Sequence, residues 1–586
     1  MQSTHSRPKI SQRQIDPELS QFSENISPLL QRIYLGRGIS NDDQLERTLA
    51  KLPRPDSLQG LSEGVRLLEE ALTEQQSVLI VGDFDADGAT STALTMLALR
   101  AMGMQHMDFI VPNRFEFGYG LTPEIVALAQ QRNPDLIITV DNGISSVSGV
   151  KAAKNAGIKV LITDHHLPGA VLPEADAIVN PNQHGCDFPS KNLAGVGVVF
   201  YLLSALRSRL RETGWFDAQN IAMPNMAEWL DLVALGTVAD VVPLDQTNRV
   251  LVHQGLQRIR AGKTRPGIQA LLDLAGKDCQ RLVATDLGFT VGPRLNAAGR
   301  LDDMSIGIEC LLETDTYLAR EYAIQLDELN RDRRVIEAGM QREGLTMLEK
   351  LDLNEQTLPW GLCLFDPDWH QGVVGLLASR IKDRIHRPVI AFADAGGEGE
   401  NKEYKGSARS IPGLHIRDAL DAVATAHPEL ISKFGGHAMA AGLSLEAKHY
   451  PAFAEAFDAE VKRQLTPADL EAEIVTDGEL SPEELSLETG HLLRDAGPWG
   501  QHFPEPLFQG DFFIVQQRIV GEKHLKLLLA VDEQKKQMID AIAFNVDTDV
   551  WPNHQAKKVQ LVYKLDINVW QGRESVQLMV QEILTN

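Results

Sequence analysis

Residues 78–88 read Val-Leu-Ile-Val-Gly-Asp-Phe-Asp-Ala-Asp-Gly, an apolar run that passes directly into three alternating carboxylates. The run Val78–Val81 predicts a buried parallel strand, and a helix is expected to begin near Ala89. Like charges this close repel one another, and burying them unpaired is unfavourable. A divalent cation would remove that penalty, and open α/β sheets bind ligands at the carboxyl ends of their strands. The stretch therefore predicts a parallel α/β sheet with a metal site at its edge.

The order Asp-x-Asp-x-Asp-Gly from Asp83 also begins like a calcium-binding EF-hand loop. That loop needs a bidentate Glu at its twelfth position and a helix on each side. The twelfth residue here is Leu94, and a strand pattern precedes the loop, so the sequence argues against an EF-hand. A plainer alternative stays open, in which some of these carboxylates only cap the following helix.

Length and composition indicate a multidomain protein. The chain has 586 residues, too many for one hydrophobic core, which predicts roughly three to four domains. No apolar run reaches the roughly 18 residues that span a membrane, and the start of the chain has no apolar signal-peptide core. The four scattered cysteines predict reduced thiols rather than a zinc site or a disulfide framework. We therefore expect a cytoplasmic protein with no membrane association.

The net charge of −24 argues against nonspecific coating of nucleic acid. This charge is an average over the chain, however. An acidic metal cleft adds negative charge that cations neutralise, and a path for nucleic acid needs only a local basic strip. The net charge is therefore compatible with an enzyme that acts on DNA.

A strand–loop–helix pattern repeats after residue 76. Apolar strands at Leu136–Val140 and Val160–Thr163 end in Asp-Asn-Gly and Asp-His-His, and Ala177–Val179 is a further short strand. This alternation predicts a doubly wound parallel sheet, and the right-handed crossover rule puts the strand ends on one edge. The segment Gly236–Asp240 also ends an apolar run, and we expect it at a strand end too.

The remaining pattern predicts five regions. Residues 1–55 form an N-terminal extension, and 56–313 form the first α/β domain. Residues 314–352 lack proline and are rich in charge, which predicts either one long connecting helix or two shorter helices broken near Gly339. Residues 353–465 form a smaller α/β domain. Residues 466–586 carry five short strands, typical of a small β-barrel, and an OB-fold is the natural candidate.

Four segments of the chain offer five possible metal ligands. The first segment offers Asp83 and Asp85, and the others offer Asp141, His165 and Asp240. Carboxylates with one imidazole suit Mn²⁺ or Mg²⁺, whereas zinc sites usually carry more imidazole or thiolate. Five ligands exceed what one such ion needs and predict two ions roughly 3.5–4 Å apart. We expect supporting roles for Asp164, Asp87 and Asn142. His166 contacts the scissile phosphate or is a solvated histidine.

Two further groups of residues suggest phosphate and strand binding. The first is His370, Ser407, Arg409 and Gly435-Gly436-His437, whose glycines are expected to precede a helix and present N–H groups to a phosphate. The second is a set of basic, aromatic and polar residues expected in loops, Arg114, Tyr119, Arg294, Asn296 and Arg300. Arginines suit phosphates, and aromatic rings suit base stacking. For any single arginine, a surface ion pair is the commoner role.

Together, the motifs Asp-x-Asp-Ala-Asp-Gly, Asp-Asn-Gly, Asp-His-His and Gly-Thr-Val-Ala-Asp resemble the DHH phosphoesterase superfamily. Trp369-His370-Gln371-Gly372 and Gly435–Ala438 resemble its DHH-associated domain. With the segment Gly292–Arg300 and the C-terminal barrel added, the chain is similar to the single-strand-specific exonucleases of that superfamily.

This resemblance implies a 5′-to-3′ exonuclease that releases 5′-mononucleotides from single-stranded DNA in recombination and repair, with two Mn²⁺ or Mg²⁺ ions. Asp83, Asp85, Asp141, His165 and Asp240 would hold the ions, His166 would contact the scissile phosphate, and Arg114, Ser407 and Arg409 would contact the 5′-phosphate. Single-strand DNA-binding protein is the implied partner, and we expect a monomer. Two alternatives are a DHH phosphodiesterase acting on short oligonucleotides or signalling dinucleotides, and a scaffold with a decayed site.

Overall fold

The computed structural model describes residues 8–112, 120–350, 358–397, 402–436 and 438–584. The chain splits into two compact units. The larger unit takes Gln12–Asp327 and Val475–Asn586, and the smaller unit takes Met1–Ser11 and Glu328–Ile474. Among the described residues, no helix combines the length and the apolar character that a bilayer crossing requires.

The larger unit is built on a five-stranded parallel sheet. Strand β1 (Lys9–Gln12) belongs to the smaller unit except for its last residue. In the larger unit, α1 (Pro28–Leu35) and α2 (Leu61–Glu74) are followed by the strands β2 (Val78–Gly82), β3 (Met107–Ile110), β4 (Leu136–Val140), β5 (Lys159–Thr163) and β6 (Ala177–Val179). They pair in the order β3-β2-β4-β5-β6. The connecting helices include α3 (Ala86–Ala101), α4 (Pro123–Gln130) and α5 (Val147–Asn155). Every residue of β2 and β4 is buried, as expected for strands covered on both faces.

The register of the sheet brings the polar motifs to one level. Val140 at the end of β4 pairs with Gly82 of β2 on one side and with Thr163 of β5 on the other. The residues that follow these strands, Asp83, Asp141 and Asp164, therefore leave the sheet side by side. The predicted parallel sheet, with its carboxylates at one edge, is confirmed.

Helices complete this part of the larger unit. They are α6 (Gly195–Glu212), α7 (Trp215–Gln219), α8 (Leu230–Ala239), α9 (Gln246–Arg260), α10 (Pro266–Leu274), α11 (Ala284–Asp286), a π-helical turn (Leu287–Val291), α12 (Gly292–Leu301) and α13 (Ser305–Leu312). Helix α14 (Thr316–Lys350) then runs without a break for 35 residues. Of the two alternatives for this segment, the single helix is the one observed.

The smaller unit contains a second, mixed sheet. Its elements are β7 (Leu362–Phe365), α15 (Val374–Ile385), β8 (Val389–Asp394), β9 (Glu403–Arg409), α16 (Ile416–Ala426), β10 (Lys433–Gly436), β11 (Ala440–Glu446) and α17 (Tyr450–Gln464). The strands pair in the order β10-β11-β9-β8-β7, with only β7 and β8 parallel. Phe392, Phe453 and Phe457 are fully buried in its core.

A closed barrel forms the C-terminal part of the larger unit. It follows β12 (Glu473–Thr476) and α18 (Leu487–Asp495), and its strands are β13 (Phe508–Val520), β14 (His524–Ala530), β15 (Met538–Ala543), β16 (Lys558–Trp570) and β17 (Arg573–Leu584). The strand order is β13-β14-β15-β17-β16, with β15 and β17 parallel. The five-stranded barrel predicted from short alternating strands is confirmed.

Candidate active site

The loop after β2 combines helix capping with a carboxylate cluster. One oxygen of Asp85 accepts hydrogen bonds from the backbone N–H groups of Asp87 and Gly88, both at 3.0 Å, so Asp85 is the N-cap of α3. This cap explains why α3 begins at Ala86, before the predicted start. Oxygens of Asp83, Asp85 and Asp141 nevertheless lie within 4.8 Å of one another. The capped turn and the carboxylate cluster are therefore features of the same loop.

Asp141 follows β4 in an unusual backbone conformation. Its φ is +61°, in the left-handed region, and its side chain is buried. The Asn142 amide donates to the carbonyl groups of Val81 at 3.1 Å and Val140 at 2.9 Å, which ties the ends of β2 and β4 together. This bonding holds the turn that carries Asp141.

Asp164 is the hub of the next turn. Its carboxylate accepts from the backbone N–H groups of Ile144, His165 and His166, and its Oδ1 lies 2.7 Å from Nδ1 of His166. Burial opposes ionisation, but His166 lowers the pKa of Asp164 to about 2. Burial likewise opposes protonation of His166, yet Asp164 raises the pKa of that ring to about 9. The side chain of Asp164, for which the sequence predicts a supporting role, is thus paired with the ring of His166.

The ring of His165 lies close to both Asp141 and Asp240. Its Nε2 lies 3.1 Å from Oδ1 of Asp141 and 3.4 Å from Oδ2 of Asp240. Asp240 does not follow a strand as predicted, because Leu230–Ala239 forms helix α8 and Asp240 is its C-cap. This helix is buried almost all round, so its residues show no helical apolar stripe in the sequence.

Asp87 fixes the start of another helix. Its carboxylate accepts from the N–H groups of Gly195 at 2.6 Å and Val196 at 3.0 Å, the first residues of α6. The positive end of the α6 dipole favours a negative group there. A Cβ atom at Gly195 would lie 2.7 Å from the Cβ of Asp141, so only glycine lets α6 approach so closely. The role of Gly195 was not predicted, although the Gly-Val-Gly at residues 195–197 was a visible signal.

The raised pKa values of the clustered carboxyl groups indicate that this site favours a bound cation. Burial and then Asp240 raise the pKa of Asp87 to about 7, and burial and then Asp85 raise the pKa of Asp240 to about 8. Burial and the surrounding carboxylates also raise the pKa of Asp141. Within the described part of the chain, Nε2 of His165 and Oδ2 of Asp240 are buried and make no hydrogen bond. Metal ions would supply positive charge to these carboxylates. They would also bind the two buried atoms, because they take carboxylate oxygen and neutral imidazole as ligands.

These shifts predict how the stability of the metal-free protein depends on pH. Asp87 and Asp240 bind protons more tightly when folded than when unfolded, so stability falls as pH rises from about 4 to about 8. We expect the melting temperature in EDTA to decrease across this range, and Asp240→Asn to reduce the decrease. Differential scanning calorimetry at several pH values would measure it. The prediction would be wrong if the melting temperature of the metal-free protein rose between pH 5 and 8 and Asp240→Asn left that rise unchanged.

Helix α12 holds the loop of Asp83 and Asp85 in place. Oδ1 of Asn296 accepts from the backbone N–H of Ala86 at 2.7 Å, and Gly299 packs against the carbonyl of Phe84. The segment Gly292–Arg300 is thus helical and not a loop as predicted. Its Arg294 is buried and pairs with Asp327 at 2.9 Å, so it ties α12 to α14 and does not face a phosphate. Arg300, near the end of α12, is partly exposed.

Several predicted phosphate-binding residues meet at the start of α15 in the smaller unit. A Cβ atom at Gly375, the second residue of this helix, would lie 2.7 Å from a terminal guanidinium nitrogen of Arg409 and 3.4 Å from Oγ of Ser407. His370 precedes the same helix, and its Nδ1 accepts from the N–H of Gly372 at 3.1 Å. A helix N-terminus beside a guanidinium and a hydroxyl suits an anion.

The double glycine of the smaller unit lies in a hairpin. Gly435 and Gly436 end strand β10, which turns back into β11, so the helix predicted after them is absent from this described segment. Gly436 has φ +142°, and a Cβ there would lie 2.5 Å from the carbonyl oxygen of Ala440. Strand β11 pairs Ala441 with Gly436 and Ala440 with Arg409, so this turn reaches the same sheet end as Arg409. Arg114, Tyr119 and His437 lie outside the described residues.

Three family models match successive parts of the chain. The N-terminal domain of the DHH family matches residues 77–237, the DHHA1 domain matches residues 359–463, and the RecJ OB domain matches residues 476–582. The parallel sheet, the carboxylate–histidine edge and these matches define a phosphoesterase of the DHH class.

Individual relatives narrow this class. The chain is 55% identical over 575 residues to the single-stranded-DNA-specific exonuclease RecJ of Escherichia coli, covering 98% of this chain and 99% of that one. It is 32% identical over 566 residues to RecJ of Bacillus subtilis, covering 95% and 68% respectively. A crystal structure of RecJ from Thermus thermophilus in complex with Mn²⁺ matches with a TM-score of 0.79 at 28% identity, covering 100% of this chain and 80% of that one. The chain belongs to the RecJ family.

Proposed function

We propose that this chain is a 5′-to-3′ exonuclease that hydrolyses single-stranded DNA to 5′-mononucleotides, with Mn²⁺ or Mg²⁺ as its cofactor, in DNA recombination and repair. The observation that carries the proposal is the convergence of carboxylates and histidine rings, from four segments, at one edge of the parallel sheet. The relatives named above are single-stranded-DNA-specific exonucleases, and one of them was crystallised with Mn²⁺.

The site residues fit a pair of divalent ions, with Asp83, Asp85, Asp141, His165 and Asp240 as the proposed ligands. Neighbouring ligands on an octahedral ion at 2.0–2.1 Å are about 3 Å apart. The separations of 3.1 and 3.4 Å around Nε2 of His165 are close to that value. When bound, such ions lower the pKa of a coordinated water and stabilise charge on the phosphoryl oxygens.

His166 is the proposed donor to the scissile phosphate. With a pKa of about 9, its ring is protonated at neutral pH, and Asp164 holds Nδ1. Nε2 is then the N–H that can donate to a phosphate oxygen, and a charged donor stabilises the developing negative charge more than a neutral one does. In this role His166 contributes charge and orientation and forms no covalent bond.

The start of α15 is the proposed binding site for a 5′-terminal phosphate. Arg409 supplies a guanidinium, Ser407 a hydroxyl and α15 its first N–H groups. Nε of Arg409 donates to Oγ of Ser379 at 3.2 Å, which holds the guanidinium beside the helix. We propose that His370, Gly435 and Gly436 also contribute to this phosphate-binding region. Arg114 and His437, which lie outside the described residues, keep the phosphate-binding role predicted from the sequence.

Digestion of strands labelled at either end tests this function. In Mn²⁺ or Mg²⁺, we expect a 5′ label to appear at once as mononucleotide, while a 3′ label stays on steadily shortening fragments. Arg409→Ala should lower kcat/KM about tenfold or more on 5′-phosphorylated strands and less on 5′-hydroxyl strands. Arg417→Ala, which removes an exposed arginine of α16 in the same unit, is the matched control. Rapid turnover of dinucleotides but not of long strands would instead support the short-oligonucleotide alternative.

Partners and assembly follow from the same family. We propose that the protein is a cytoplasmic monomer that works with single-strand DNA-binding protein. The cysteines Cys186, Cys279, Cys310 and Cys363 are all free, which suits a reducing compartment. Light scattering would give the mass of the protein alone, and a mass twice 64.6 kDa would refute the monomer.

A further inference from the structure

The π-helical turn Leu287–Val291 presents an aromatic ring to solvent. Phe289 is 77% exposed, the largest exposure of any large apolar side chain in the described part of the chain. Leu287 and Val291, at the two ends of the turn, are fully buried, so the turn is firmly anchored. Single exposed apolar residues are ordinary on protein surfaces. This one stands on a π-helical turn, and such turns occur frequently at functional sites.

The turn lies directly against the element that carries Asp240. A Cβ atom at Gly288 would lie 3.1 Å from Cγ1 of Val238, and one at Gly292 would lie 3.1 Å from Cβ of Ala239. Val238 and Ala239 form the last turn of α8, and Asp240 is the C-cap of that helix. The backbone of this turn therefore packs against the end of the helix that carries Asp240, and the ring of Phe289 faces solvent.

Two neighbours strengthen this placement. Val241, directly after Asp240, is 62% exposed and has φ +61°, an uncommon conformation for a β-branched residue and one typical of functional sites. On the other side, the turn continues into α12, whose Asn296 and Gly299 hold the loop of Asp83 and Asp85. Phe289 is thus fixed with respect to two of the segments that supply proposed metal ligands.

We infer that Phe289 is a stacking platform for one nucleobase of the strand being hydrolysed, with Val241 adding apolar contact at its edge. The inference rests on the proposed function, because it takes single-stranded DNA as the substrate. Every base has a π-face, so an exposed phenyl ring binds a strand without regard to sequence. The backbone of Phe289 is anchored next to the segment of Asp240, so a base stacked on its ring would help to position the neighbouring phosphate for hydrolysis.

Kinetics on strands with a single abasic site test the inference. For the wild type, we expect one abasic position near the 5′ end to lower kcat/KM about tenfold, because stacking of a base is lost there. Phe289→Ala should lower kcat/KM on intact strands by a similar factor, Phe289→Trp should restore it, and Phe289→Leu should lie between. In Phe289→Ala, the same abasic site should cause no further loss, since both changes remove one contact.

The controls separate stacking from a structural role. Tyr317→Ala, which removes another exposed aromatic ring, should leave kcat/KM unchanged. Phe289→Ala should keep the melting temperature and the Mn²⁺ affinity of the wild type. The inference would be overturned if Phe289→Ala kept the wild-type kcat/KM. It would also be overturned if the abasic site lowered kcat/KM of Phe289→Ala by the same factor as in the wild type. Either result would leave the exonuclease function intact. A wild type that hydrolyses no single strand would overturn the proposed function, and this inference with it.

Discussion

We expect Asp141→Ala to abolish hydrolysis of single-stranded DNA, lowering kcat by about a thousandfold or more, while most strand binding is kept. Asp141 is central to this prediction because its Oδ1 lies 3.1 Å from Nε2 of His165 and its carboxylate also groups with Asp83 and Asp85. If Asp141 is the metal ligand that we propose, its loss removes several kcal/mol of charge stabilisation in the transition state. Single-turnover kinetics and strand-binding titrations in parallel would measure the two effects.

The control flanks the other end of the same strand. Asp135→Ala removes a carboxylate directly before β4, where its Oδ2 accepts from the N–H of Ser77 at 2.8 Å. We expect this variant to lose about 1 kcal/mol of stability and to keep its activity. Full activity of Asp141→Ala in saturating Mn²⁺ would refute the assigned metal site.

Gly299→Ala is the second large effect, expected to lower kcat about a hundredfold or more. The added Cβ would overlap the carbonyl oxygen of Phe84, which lies between the proposed ligands Asp83 and Asp85. Backbone atoms cannot yield as a flexible side chain can, so the loop or α12 must move. A displacement on the order of 1 Å at a reacting centre costs about a hundredfold in rate. Mn²⁺ affinity, measured by calorimetric titration, should weaken together with kcat.

A second glycine-to-alanine change provides the comparison. At Gly339, inside α14, a Cβ would meet nothing within 4 Å among the described residues. Gly339→Ala should therefore stabilise the protein by roughly 0.5–1 kcal/mol through helix propensity and leave kcat unchanged. Urea unfolding and steady-state kinetics would measure both properties. Equal losses of activity in Gly299→Ala and Gly339→Ala would show that the packing of α12 on the loop is not the cause.

The edge of the parallel sheet could be predicted because its signals are local. Val78–Val81 and Leu136–Val140 are continuous apolar runs followed closely by Asp, and a sheet covered on both faces gives that pattern. The end of α8 could not be recognised in the same way. A helix buried all round and a buried strand both read as apolar runs, so Asp240 was assigned to a strand end.

The roles of residues whose partners are distant in the sequence could not be predicted from the sequence alone. Arg294 has the same appearance in sequence whether it faces a phosphate or Asp327, and only the packing of α12 against α14 decides between them. The glycines at 435 and 436 could equally precede a helix or end a strand, and the observed hairpin depends on pairing with β11. Asp164 was predicted as a support, but which of its two neighbouring histidines it pairs with is set by the turn after β5.

The central claim is that the carboxylate–histidine cluster binds two metal ions and that these ions are needed for hydrolysis of single-stranded DNA. The most direct test removes metal with EDTA, adds Mn²⁺ back in known amounts, and follows both bound Mn²⁺ per chain and release of 5′-mononucleotides. We predict that activity rises as binding approaches two ions per chain, and that Asp141→Ala binds fewer and stays inactive. Hydrolysis at the wild-type rate without bound metal, or two ions bound equally well by Asp141→Ala, would contradict the account.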